Sequence, residues 1–508
     1  MRFELDLFDH CIAEAGWRGL LKNAMGVISP QGYLLRTRQR MRRERMSRLW
    51  NLMRASQDLR RSQNMSRPDM LRLQERRWRK LAQFAHARSP FYRRHLAGLN
   101  LDHCAFEELP VLTKSMLVEH WDEIVTDPRI RKAELKKHLS TSGNWNKLLH
   151  GRWMVSMTSG TTGAAIITAH DIAAVDWNHT AHAIRNTRLP VEAVHPRLPL
   201  FKRRQIAAAF VSLSAPSISS ALISTRPWPG NLFWDYRPIN VTSPWEEIVA
   251  RVEEMQPDIL IGYASIMGRL ASAKLEGKLR LDLPPNGAIS TGGDCLTPGI
   301  RELCKQAFGL DPMDGYGCGE TLGIARQWQG MSRPVIFEDL FVFEAVDSHG
   351  RQCAEGELSD YALVTPLLNT DMPLLRYRLN DRVCLGPVQE GWPFRVIERL
   401  SGRSSLTFVF RIPNEQLFVG SKLMVVMENV PQVVSYQFRQ TGPASLECLF
   451  LAAPTADIAG TEALLTSRGR RSLDGADCAS VTFDARAVSH LEPDARTGKV
   501  EQYVPLAL

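Results

Sequence analysis

The stretch SMTSGTTGAA at 156–165 is built mostly of Ser, Thr and Gly and carries no charge. Small residues let backbone N–H groups converge on an anion with no side chain in the way, and hydroxyls add further donors. Thr158, Ser159, Gly160, Thr161, Thr162 and Gly163 are therefore suited to cradle a polyphosphate. The loop is not of the Walker type, because GxxxxGK(S/T) is absent and no Lys follows. A flexible turn has the same composition, so the stretch alone leaves both readings open.

Five further stretches could do chemistry. STGGDCLTPG at 290–299 places Gly292, Gly293 and Asp294 in a tight turn suited to lie against a flat ligand. DGYGCGETLG at 314–323 offers an aromatic face at Tyr316 and a carboxylate at Glu320. LLRYRLNDR at 374–382 supplies Asp381, and SGRSSL at 401–406 supplies Arg403. DARTGKVEQY at 494–503 contains Lys499. Taken singly, Tyr316 reads as core, Asp381 as a turn residue and Lys499 as a surface charge.

Periodicity indicates the elements that must position these residues. Trp78, Leu81, Ala82 and Ala85 fall on one face of a helix over 69–88, which should stop at Ser89 because Pro90 follows. Met46, Leu49, Trp50 and Met53 share the same spacing, predicting an apolar helix face in an N-terminal extension over 1–65. DILIGYA at 258–264 reads as a buried strand, 265–277 as a helix, GAISTGGD at 287–294 as a strand entering a turn, and 298–309 as a helix. Strand, helix, strand, helix predicts an α/β layer architecture. From about residue 335 the pattern changes to strand and turn.

Composition sets the limits. A chain of 508 residues is too long for one ordinary core and predicts two or more domains. The most apolar segment, 206–225, contains six Ser and a central Pro and reads as buried rather than membrane-spanning. The N-terminus carries acids where a secretory signal needs basic residues, and a cytoplasmic location is expected. The nine Cys are widely spaced, with no CxxC, and are expected to be free thiols. Nearly all of the net charge of +9 comes from residues 36–61, which hold ten Arg against one Glu and one Asp. That stretch is either a solvated basic helix or a site for an anionic partner, nucleic acid or membrane surface.

The order TSGTTG, GGD, DGYGxGE, RYRxxD, GRS, TGK resembles that of the adenylate-forming superfamily of acyl ligases, from about residue 69 to the C-terminus. Within it, LAQFAHARSPFYRRHLAGLN and LPVLTKSML, together with QPDILIGYASIMGRLA, are similar to the phenylacetate–coenzyme A ligase and CapK branch. The resemblance implies an α/β fold with a large N-terminal AMP-binding domain of layered sheets and helices, here 66–400. A small mobile α+β lid, 401–508, would follow. It implies an ATP-dependent ligase that joins a small carboxylic acid to the α-phosphate of ATP, releases pyrophosphate and passes the acyl group to an acceptor. The 158–163 loop would hold the β- and γ-phosphates. Glu320 would help hold Mg²⁺, and Asp381 would accept both ribose hydroxyls. Tyr316 would stack on adenine, with Asp314, Gly317 and the Gly292–Gly293–Asp294 turn lining the nucleotide. Arg403 would sit near the hinge at about 399–406. Lys499 would bring positive charge to the oxygens where negative charge builds. Homodimers occur in the branch.

Departures from the pattern open alternatives. The superfamily commonly has Ser or Thr just before the motif Glu, where this chain has Gly319. After GRS the phenylacetate ligases usually carry Asp-Asp, where this chain has Ser405 and Leu406. The acceptor is thus open between coenzyme A, a carrier-protein thiol, an amine and a hydroxyl. A catalytically degenerate binding or scaffold protein on the same fold is the second reading. The motifs describe the nucleotide end and leave the acid unspecified. His179 and His182 lie at i, i+3 without a third candidate ligand, and are read as packing or surface residues. No zinc site is expected.

Overall fold

The computed structural model describes residues 48, 50–141, 147–158, 165–185, 205–212, 234–328, 330–403, 407–412, 414–427, 429–476, 478–494 and 498–506.

A helix over 50–63 (α1) leads into α2, Arg67–Arg88. Ser66 caps α2 by accepting from the Asp69 N–H, and Ser89 ends it. Trp78, Leu81, Ala82 and Ala85 are buried, as their spacing predicts. The apolar face predicted for the extension is not the buried one. Trp50 is 60% and Met53 46% exposed, whereas Asn51, Ala55, Leu59 and Ser62 face inward; Met46 and Leu49 lie outside the described residues. Polar anchoring explains the rotation. Ser62 donates to Asp339 at 2.5 Å, and Arg48 grips Asp176 with two bonds of 2.6 Å. Helix α1 thus shares one core, through Ala55 and Leu59, with α2 and the strands that follow.

The hairpin β1 (Trp153–Met157) and β2 (Ile167–Asp171) runs directly into α3 (Ile172–Arg185). A parallel sheet follows, in the order β4-β3-β5-β6: β3 Gln205–Val211, β4 Trp234–Asn240, β5 Ile259–Gly262 and β6 Ala288–Thr291. Helices α4 (Trp245–Met255), α5 (Ala264–Leu275) and α6 (Pro298–Phe308) cover it. Their apolar stripes and the strands' inner face share one core that includes Leu260, Met267, Leu270, Ile289 and Leu303. The strand and helix spans expected over 258–309 are all present.

Beyond this layer the chain turns antiparallel. Strands β7 (Gly315–Cys318), β8 (Leu322–Arg326) and β9 (Val335–Ile336) join one sheet. Strands β10 (Phe341–Val346), β11 (Tyr361–Pro366) and β12 (Tyr377–Leu379) form a second. Strands β13 (Asp381–Val388) and β14 (Arg395–Arg403) complete the first, in the order β13-β14-β9-β8-β7. After β14 comes a hairpin, β15 (Thr407–Ile412) and β16 (Asn414–Val419). A small α/β layer closes the chain: β17 (Val433–Gly442), β18 (Ser445–Ala452), α7 (Ile458–Asp474), β19 (Thr482–Ala487) and β20 (Tyr503–Val504). It has its own core, around Tyr436, Phe438, Phe450, Leu465 and Phe483.

This terminal layer docks on α5 and α6. The Thr297 hydroxyl, which caps α6, also donates to the Val434 carbonyl at 2.9 Å. Gly299 allows the approach: a Cβ there would lie 2.1 Å from the Val433 carbonyl oxygen. Among the described residues no helix is long and apolar enough to cross a membrane, and no cysteine forms a disulfide.

Candidate nucleotide site

Hairpin β1–β2 presents the hydroxyl-rich loop. Thr158 closes its base, donating its N–H to the Ile166 carbonyl and accepting the Ile166 N–H on its hydroxyl, both at 2.9 Å. Ser159, Gly160, Thr161, Thr162 and Gly163 lie outside the described residues. Two contacts tie this hairpin to the turn after β7. His170 on β2 lies with Nε2 2.9 Å from the Gly319 carbonyl. A carbonyl only accepts, so Nε2 carries the proton. Burial lowers the His170 pKa to about 4, which keeps the ring neutral at pH 7. Second, a Cβ on Gly319 would lie 2.9 Å from the Thr158 methyl. The Thr158 side chain fills the space that a larger residue at 319 would need.

The segment leading into β7 runs beside β6, with Met313 bridging Ser290 in parallel. The Asp314 carboxylate accepts from the Thr291 hydroxyl at 3.1 Å and from the Gly315 N–H at 3.0 Å. Burial nonetheless pushes the Asp314 carboxyl up to about 6. Gly292 passes close to the Gly315 carbonyl, which a Cβ would meet at 3.2 Å. Gly317 has no room at all for a side chain, since a Cβ would lie 2.2 Å from the Leu322 carbonyl oxygen. Asp294 caps α5, accepting from Ala264 N–H at 2.5 Å and Ser265 N–H at 3.1 Å. Its carboxylate therefore serves a helix N-terminus.

Tyr316 and Asp381 meet: the phenol donates to the carboxylate at 2.9 Å, and the ring packs edge-on against Phe343. The Tyr377 hydroxyl donates to Glu320 at 3.2 Å. Glu320 is a hard oxygen donor, and Mg²⁺ takes one or two carboxylates and fills its shell with water and phosphate oxygens. Asp381, the first residue of β13, pairs across β13–β14 with Arg403, the last residue of β14. The Arg403 side chain lies outside what the structure describes.

Lys499 arrives from the terminal layer. Its Nζ donates to the Gly293 carbonyl at 2.8 Å and lies 4.8 Å from the centre of the Tyr263 ring. Asp494 and Gly498 shape the loop: the Asp494 N–H donates to the Lys499 carbonyl, and the Gly498 N–H to the Asp494 carbonyl, both at 2.8 Å. Gly498 has φ +72° and rests on Val241.

The structure thus brings Thr158, Gly319 and Glu320 to one edge, Tyr316 with Asp381, and Lys499 with Gly293. His170, Tyr263 and Tyr377 carried no signal in the sequence, because a lone His or aromatic in an apolar run has no telling spacing. His182 packs at the edge of the Phe337 ring and over Gly323, a structural role. Among the described residues no group of three His, Cys, Asp or Glu could hold a metal ion.

No family model matches the chain. Sequence comparison finds it 29% identical to phenylacetate–coenzyme A ligase of Pseudomonas putida over 177 residues, 33% of this chain and 38% of that enzyme. It is 24% identical to the protein CapK of Staphylococcus aureus over 347 residues, 66% of this chain and 68% of that one. The aligned region spans well under half the length of the phenylacetate ligases. Among solved structures, 2-hydroxyisobutyryl-CoA ligase in its postadenylation state superposes with a TM-score of 0.62 over 88% of this chain and 91% of that one, at 16% identity. The chain thus shares the fold of that ligase, an α/β fold. Within that fold the sequence is similar to the phenylacetate–coenzyme A ligase and CapK branch.

Proposed function

We propose that the chain is an acyl-adenylate-forming ligase, with a small carboxylic acid and ATP as substrates. The observation that carries this reading is the Lys499–Gly293 contact, 206 positions apart in sequence, which seats the lid lysine on the nucleotide turn. The acid attacks the α-phosphorus, the bond to the β-phosphate oxygen breaks, and pyrophosphate leaves. Negative charge must be met where it builds, and Lys499 is a compact cation delivered there only when the lid docks. Asp381, held by Tyr316, accepts the ribose hydroxyls. The 158–163 loop wraps the phosphates, with its Thr158 base locked to the Gly319 turn. Glu320 would hold Mg²⁺, which would supply Lewis-acid screening of the phosphate oxygens.

The acyl group then passes to a thiol. Coenzyme A is the acceptor named in the phenylacetate ligases' own descriptions, and a carrier-protein thiol has the same chemistry. A cytoplasmic setting follows from the substrates. Mg-ATP-dependent pyrophosphate release, measured over pooled aryl, fatty and amino acids, tests the reading. Lys499→Ala should lower the rate ~10²–10³-fold while ATP binding persists. A wild type that binds no ATP would instead support the non-catalytic scaffold, a reading that no named relative favours.

A further inference from the structure

Tyr263 has no assigned part in the reaction, yet its placement is specific. It stands at the end of β5, immediately before α5, and is 4% exposed. A Cβ on Gly293 would meet its ring at 3.1 Å and Lys499 Nζ at 3.4 Å. Gly293 also has φ +87°, a conformation that side chains rarely adopt. The turn is therefore bare on the side where the ring and the ammonium meet. Lys499 Nζ lies 4.8 Å from the ring centre, inside the range over which an ammonium is drawn to an aromatic face. The phenol stays protonated at pH 7, since burial, with the Asp294 charge behind it, raises its pKa to about 12.

We propose that Tyr263 is a positioning residue: its ring face and the Gly293 carbonyl form a two-point seat that holds the Lys499 ammonium in the adenylation pose. The inference rests on the ligase reading for its consequence, though not for its geometry. A long, flexible Lys side chain must lose rotamer freedom before it can serve one geometry, and a preformed seat removes part of that cost before substrate arrives. The seat is on the nucleotide domain and the ammonium is on the lid. It therefore acts only when the lid docks, and it favours the first half-reaction over acyl transfer. The hydroxyl of Tyr263 is not required; the ring face is.

The test replaces Tyr263 with Phe and then with mono-, di- and trifluorinated Phe, which keep the shape and drain charge from the ring face. Two rates are read: trace acetylation of Lys499, followed by mass spectrometry, and pyrophosphate exchange into ATP. Tyr263→Phe should match the wild type. Along the fluorinated series Lys499 acetylation should rise and exchange should fall, on the order of 10-fold overall. Transfer of the acyl group from preformed acyl-adenylate should not change. Flat acetylation across the series would overturn the seat, as would a Phe variant as impaired as trifluoro-Phe. A wild type without pyrophosphate exchange would sink the ligase reading alone, because Lys499 labelling still decides whether the seat exists.

Discussion

His170 on β2 donates Nε2–H to the carbonyl of Gly319, 149 residues away, at 2.9 Å. That bond joins the hairpin bearing the hydroxyl-rich loop to the turn bearing Glu320. Two segments proposed above to act on one triphosphate are thus fixed to each other by a neutral, buried imidazole.

The pH dependence of that bond has a definite sign. The folded pKa of His170, about 4, lies below the unfolded value of about 6.5. Between these values the unfolded chain binds the extra proton, so stability is complete above about pH 6.5 and drains as pH falls toward 4. Thermal melts of His170→Gln, whose amide can still donate, should show a flatter pH dependence over that window. His170→Ala leaves the Gly319 carbonyl without its donor and should cost about 1–3 kcal/mol at pH 7.5.

Asp314 behaves in the opposite sense. Its folded pKa, about 6, lies above the model value of 3.8, so the folded state binds the extra proton between them. The contribution to stability is present below pH 4 and is lost as pH rises through 6. Asp314→Asn keeps an acceptor for Thr291 and Gly315 and removes the buried charge. Its melting temperature should equal or exceed that of wild type above pH 6, and the difference should close below pH 4. A lower melting temperature at pH 8 would refute this account.

Gly319 and Thr158 form a size-matched pair. Adding the hydroxyl residue common in the superfamily, as Gly319→Thr, puts a Cβ 2.9 Å from the Thr158 methyl. That variant should lower pyrophosphate exchange rather than raise it. Removing the methyl with Thr158→Ser in the same chain should recover most of the loss. Exchange rates of the two single variants and the double variant check this, and strict additivity would show the contact to be inconsequential.

Gly299 lets the terminal layer pack closely on α6. A side chain there would overlap the Val433 carbonyl, a backbone atom that cannot rotate away. Gly299→Ala should leave ATP binding to the nucleotide domain near wild type and cut pyrophosphate exchange ~10-fold or more, because Lys499 no longer reaches Gly293. Equilibrium nucleotide binding and exchange, measured together, separate this from general unfolding.

The amino-acid sequence by itself determined the local elements and the inventory of chemistry. Ser66, the apolar face at Trp78, Leu81 and Ala85, and Ser89 before Pro90 specify α2 almost to its ends, because capping and periodicity are local effects. The alternation over 258–309 specifies the β/α layer for the same reason. The ordered Gly, Tyr, Glu, Asp and Lys motifs pointed to a nucleotide site only through their resemblance to the adenylate-forming ligases, since each residue alone has an ordinary structural use. Tertiary structure alone decided what each face meets. Periodicity shows that α1 has faces, yet buried polar bonds from Ser62 to Asp339 and from Arg48 to Asp176 turned Trp50 and Met53 outward. Asp294 became a helix cap, Thr158 filled the space above Gly319, and Tyr263 came to lie under Lys499, because contacts across 30, 161 and 236 positions depend on how layers pack and leave no spacing in the chain.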